Sequence, residues 1–161
     1  LNEVADRMRL WGQIMGKPAA GEKLAQDLLA TIKATQDKVA GVQQGPTLYH
    51  DASPGWWTSG AGSLADEVFT MLKAKNIFDD ISGFKQVAPE QIVARNPQVI
   101  VSVHEEGPAL IKAEASLQGL AAVKDGKILY VEPDLLSIPG PRLAQGIQQV
   151  AQFLYPDRFP R

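Results

Sequence analysis

Leu1, Val4, Met8, Trp11 and Met15 recur every three to four residues, the spacing of one apolar stripe on an α-helix. Gly16-Lys17-Pro18 interrupts the stripe, because proline disfavours helical backbone at the residue before it. The pattern resumes through Leu24, Leu28, Ile32 and Val39 and stops at Gly41, a residue suited to close a helix. Together the two stretches predict a nearly continuous helical element of about 40 residues, with one joint near Pro18. The stripe is already under way at Leu1, which fits either a chain processed or trimmed from something longer or the frayed terminus of a complete domain.

Beyond the Gly45-Pro46 turn the period changes. Thr47 to His50 reads as a short strand, and the Gly- and Trp-rich run Trp56 to Ser63 reads as a loop. Ser63 and Asp66 have the spacing of a capping box, with Asp in place of Glu, opening a helix through Val68, Met71 and Leu72. A second unit repeats the order. Pro89 to Arg95 predicts a short helix stopped by Asn96-Pro97, and Val99 to Val103 is an apolar run suited to a strand buried on both faces. Pro108 to Leu120 predicts a helix, Ile128 to Val131 a strand, and Pro141 to Leu154 a closing helix. Strands alternating with helices predict an α/β fold: a three-layer lobe, a mostly parallel central sheet and a long N-terminal helix.

Composition narrows the function. The 161 residues carry 16 Lys+Arg against 18 Asp+Glu, a net charge of −2 with no long basic run. That argues against nonspecific nucleic-acid or anionic-membrane binding. No apolar stretch approaches the roughly 18–20 residues of a membrane span. With no cysteine, disulfides, thiolate-held zinc and cysteine nucleophiles are excluded within the chain.

In an open parallel sheet, ligands sit beyond the carboxyl ends of the strands. His50 to Trp57, Phe84 to Val87, His104 to Gly107 and Glu132 to Gly140 should gather there. Trp56 and Trp57 stand beside glycines rather than in a periodic segment, which suits exposed rings for a large, partly apolar ligand. The alternative is that one or both cap the core. His50-Asp51 and His104-Glu105-Glu106 end two strands, so a two-His metal site is conceivable, but solvated loop histidines fit better. Gly60-Ala61-Gly62-Ser63 could hold an anion on backbone N–H groups, though it lacks the Lys of a P-loop and reads more simply as a helix start. Ser59 or Ser63 with either His lacks the GxSxG elbow of a hydrolase.

Four motifs then fall in a recognisable order. Val87-Ala88-Pro89-Glu90-Gln91-Ile92-Val93-Ala94-Arg95-Asn96-Pro97-Gln98-Val99-Ile100-Val101 resembles the E-x-I-x-x-x-x-P-x-x-I segment of class III substrate-binding proteins of ABC importers. Ser59 to Ser63 followed by Asn76-Ile77-Phe78 resembles the segment before it. Ala122 to Val131, Pro139-Gly140-Pro141-Arg142 and the helix running to Tyr155-Pro156 resemble the family's ending. The opening helical element resembles the long helix joining the two lobes.

The resemblance implies residues 1–43 as a linking helical segment and 44–161 as a C-terminal lobe, without the N-terminal lobe. It implies a binding protein without catalysis or an intrinsic cofactor. The ligand is a metal chelate (iron–siderophore, haem or cobalamin), and the location is periplasmic or tethered outside the cytoplasmic membrane. By match to the cleft segments, Trp57 is the foremost ligand contact, followed by Phe84, Asp134 and Leu135, with His104 beyond them. Glu90 is the docking carboxylate for the membrane permease. No nucleic acid is expected as a partner, and the exposed linking helix is expected to favour self-association. A related zinc/manganese-binding lobe using His50 and His104 is the alternative, and a small α/β enzyme a more distant one.

Overall fold

The computed structural model describes residues 1–160. The N-terminal element is not one jointed helix but a hairpin of two: α1 (Asn2–Ile14) and α2 (Pro18–Val39) fold back on each other. The reason lies in two glycines. A Cβ on Gly12 would stand 2.8 Å from Gly21 Cα, and one on Gly21 would stand 2.6 Å from Met8 O, so only bare backbone permits the approach. Gly16, at φ 66, makes the left-handed turn between them. Arg9 reaches across to Glu22 at 2.8 Å.

The α/β part follows as β1 (Thr47–Asp51), β2 (Trp57–Ser59), α3 (Leu64–Met71), β3 (Lys75–Asn76) and β4 (Phe84–Gln86). After these come α4 (Pro89–Arg95), β5 (Val99–Ser102), α5 (Gly107–Ala113), α6 (Ala121–Lys124), β6 (Ile128–Tyr130), α7 (Pro133–Leu136) and α8 (Leu143–Leu154). The predicted helix Pro108–Leu120 breaks after α5 into a 3₁₀ turn at Ala115–Gly119, and the closing helix starts at Leu143 rather than Pro141. The region read as a loop around Trp57 contains β2, which pairs antiparallel with β4.

The central sheet has the order β3-β1-β5-β6, every pair parallel. Alternation along the strands sorts side chains into two cores. Leu48, Val99 and Val101 meet α1, α2, α3 and α8 on one face, while Tyr49 and Ile100 meet Ile92 of α4 and Ile111 of α5 on the other. One core therefore runs from Val4 and Leu28 through the sheet to Ile147, so the helical hairpin is built into the lobe. Each fully buried Leu or Ile there contributes about 1.5–3 kcal/mol. The outer flank of the hairpin stays bare, with Trp11 61% and Met15 67% exposed.

Candidate functional site

The connections after β1 and β5 leave on opposite faces, to α3 and α5, so the sheet opens a crevice at the carboxyl ends of these neighbouring strands. Four of the expected segments border that edge.

His50 and Asp51 are consecutive on β1 and therefore face opposite sides of the sheet. His50 is buried, not solvated: its ring stands edge-on to Phe69, with centroids 5.4 Å apart, and Nδ1 lies 2.6 Å from Ser59 Oγ. Burial pushes its pKa down to about 4, so the imidazole is neutral near pH 7. Nε2 has no hydrogen-bond partner within the protein. His50 lines a cavity of about 300 Å³ shared with Ser59, Ser63, Phe84, Leu136 and Ser137.

On the other face, Asp51 is buried and accepts a hydrogen bond from Ser102 Oγ at 2.8 Å. His104 Nε2 stands 2.8 Å from the same carboxylate oxygen. Burial raises the Asp51 pKa, held back by Ser102 and His104. Gly107 closes over the cluster, because a Cβ there would fall 1.9 Å from Ser102 Oγ. The two histidines thus serve separate faces and do not converge. No group of three or more His, Asp or Glu side chains comes together among the described residues.

The aromatic residues divide. Trp56, at φ 64, packs on the smaller core. Trp57 is half-buried and stacks on Phe84, with ring centroids 5.2 Å apart at 15°. Pairing of β2 with β4 brings the two rings together, since Trp57 stands opposite Gln86 and Ser59 opposite Phe84. Phe84 keeps 53% of its surface exposed. Asp134, at the start of α7, is ion-paired to Arg142, which also reaches Glu132 at 3.1 Å. Leu135 lies inside the main core beneath that loop.

The Gly60–Ser63 turn serves its own helix. Ser63 Oγ accepts from Asp66 N at 3.1 Å, and the Asp66 carboxylate accepts from Gly62 N and from Asn76 Nδ2. Any anion-binding capacity of the turn is therefore used internally. Glu90 sits in the first turn of α4, exposed, with no ion pair or hydrogen bond among the described residues. The helix start is instead tied by Gln91 Oε1, which accepts from Ala88 N at 2.9 Å.

With this geometry in hand, a family model described as periplasmic binding protein matches residues 2–135. The chain belongs to this family. An uncharacterized ABC transporter substrate-binding lipoprotein of Bacillus subtilis is 26% identical over 98% of this chain and 52% of its own length. The crystal structure of the periplasmic vitamin B12 binding protein of Vibrio cholerae superposes with a TM-score of 0.84 at 26% identity, over 99% of this chain and 63% of that one. The molybdate periplasmic binding protein of Haemophilus influenzae superposes with a TM-score of 0.87 at 26% identity, over 98% of this chain and 51% of that one. The chain spans about half the length of the curated relatives it matches.

Sequence reasoning missed the Asn76 hub and the internal position of His50. Asn76 is buried, donates from Nδ2 to Ser59 O at 2.9 Å and accepts from Phe78 N at 3.0 Å, which fixes the back of β2. The signal for it was the Asn76-Ile77-Phe78 motif itself, a polar residue set before two apolar ones.

Proposed function

We propose that residues 1–43 and 44–161 are the linking segment and C-terminal lobe of a two-lobed binding protein that delivers a metal chelate to an ABC permease. The chelate is an iron–siderophore, haem or cobalamin, and delivery takes place outside the cytoplasmic membrane. The observation that carries this reading is the Trp57–Phe84 stack at the carboxyl edge of a parallel sheet, within a chain of the periplasmic binding protein family. Stacked rings with one exposed face suit a large, flat, partly apolar cargo. Asp134, held by Arg142, and His104, beside Asp51, are polar groups that set its orientation, and Leu135 backs the edge from within the core.

Glu90 is the permease-docking carboxylate. It is free of internal partners, and a negative charge in the first helical turn is tolerated at no cost. Charged rim contacts govern encounter and register more than grip. Glu90→Ala in the two-lobed protein is therefore expected to leave the cargo dissociation constant unchanged while transport falls roughly tenfold or more. Normal transport would sink the docking role, and lost cargo binding would move Glu90 to a folding role.

The bare flank of the helical hairpin is the second partner surface. Trp11, Met15 and Leu24 border a groove of about 500 Å³ with Pro139 and Pro141. Contiguous apolar surface of this kind tends to be covered, and for the isolated chain a second copy is available to cover it. Sedimentation should reveal concentration-dependent self-association, and a strict monomer at high concentration would count against it.

A further inference from the structure

The central sheet ends at β6, whose outer rim pairs with no strand. Its parallel register with β5 turns alternate residues outward. Ile100 N–H donates to Lys127 O and Val131 N–H donates to Ser102 O, so Lys127, Leu129 and Val131 aim their backbone groups at β5. Ile128 and Tyr130 therefore aim their N–H and C=O groups away from the sheet. One side chain bonds to this rim: Gln149 Nε2 donates to Tyr130 O at 3.3 Å, which leaves that carbonyl a second lone pair. The other three groups have no partner among the described residues. Beside the rim runs a groove of about 460 Å³ with Leu129, Phe153, Pro156 and Phe159 as its apolar wall and Lys127 at its polar end. The strand also carries opposite charge at its two ends. Lys124 and Lys127 precede it, with Asp125 between them. Glu132 and Asp134 follow it and share Arg142, and burial together with Glu105, Glu132 and Asp134 pushes the Tyr130 pKa up.

We propose that β6 is the contact strand of a two-fold dimer, in which a second copy of this chain lays its own β6 antiparallel along the rim and joins the two sheets. Three features select this occupant. The first is register. Outward residues must face outward residues, and a two-fold axis through Leu129 sets Ile128 opposite Tyr130 of the second copy. Each such pair exchanges both of its backbone bonds, so all of the outward groups of Ile128 and Tyr130 are used in both copies. The second is side-chain fit. Ile128 meets an aromatic ring on one face, a favourable cross-strand pair. On the other face Leu129 meets Leu129 of the second copy at the wall of the groove. The third is charge. Antiparallel reversal brings the Lys124–Lys127 end of one copy against the Glu132–Asp134 end of the other, whereas a parallel strand of the same sequence would set like ends together. Such a contact is closed, because each rim is consumed by the other. It shares no lining residue with the groove along the helical hairpin.

The test is local to β6, because association through the hairpin flank would also show in sedimentation. Backbone amide exchange of the 161-residue chain is followed by NMR from low micromolar to millimolar concentration. The Ile128 and Tyr130 amides should slow by at least about fivefold at the higher concentration, while the Leu129 amide, already turned to β5, stays unchanged. Ile128→Pro deletes an outward N–H at the first residue of an edge strand, where proline is tolerated, and should remove the slowing at Tyr130. The chain has no cysteine, so Leu129→Cys reports on the axis directly. Residues opposite each other in a non-hydrogen-bonded antiparallel pair stand about 4.5 Å apart at Cα, within disulfide reach, so copper-catalysed oxidation should link two copies. Exchange at Ile128 and Tyr130 that is independent of concentration overturns the inference, as does slowing that survives Ile128→Pro. Absence of a link through Leu129→Cys overturns it as well, and a link through Trp11→Cys in its place assigns self-association to the hairpin flank.

Discussion

Lowering the pH from 7.5 to 4.5 should cost the wild-type protein on the order of 2–3 kcal/mol of stability relative to a His50→Gln variant. The folded pKa of His50 is about 4, against an ordinary value of 6.5, because the ring is buried away from any counter-charge. The unfolded chain therefore takes up a proton as pH falls below 6.5, while the folded chain declines it until pH approaches 4. Stability is full above pH 6.5 and drains away between these two values. Asp51 works in the opposite direction, since burial raises its folded pKa and favours its protonated form. It is present in both proteins and cancels in the comparison. Urea denaturation of the two proteins across this range is the measurement. Parallel loss of stability in wild type and variant would contradict the buried, neutral His50.

Replacing Trp57 by Ala in the two-lobed protein should weaken cargo binding by about 1–3 kcal/mol, or roughly 5- to 150-fold. The indole is one of two stacked rings, and its removal strips Phe84 of its stacking partner as well as removing direct contact area. The fold should survive, because β2 is held by its backbone ladder to β4 and by Asn76 Nδ2 on Ser59 O. Trp57→Phe keeps a ring in place and should recover part of the loss. An unchanged dissociation constant in Trp57→Ala would make the residue structural.

The same elements explain what was legible in the sequence. The strand β5 stands out because burial on both faces demands a short, nearly unbroken apolar run such as Val99-Ile100-Val101. The helical hairpin did not stand out. Apolar spacing of three to four residues persists through both helices whether the chain continues or doubles back, and the deciding contact is between Gly12 and Gly21, which add nothing to an apolar pattern. The pair β2 and β4 was equally hidden. Each is three residues long, and Phe84, Lys85 and Gln86 are all exposed, so no alternation marks β4. Yet that pairing assembles the Trp57–Phe84 stack. His50 read as a loop residue at a strand end because one His carries no sign of which side of a sheet it faces. Its partner Ser59 lies nine residues on and across a strand that the pattern did not reveal.

Whether this sheet edge receives a chelate is read most directly by one titration. Tryptophan fluorescence of the two-lobed protein is followed as cyanocobalamin, haemin, a ferric siderophore, zinc and manganese are added in turn. At least one of the three chelates should give saturable quenching, lost or strongly weakened in Trp57→Ala, with no response to either free metal ion. Binding of zinc or manganese with no response to any chelate would contradict the chelate reading.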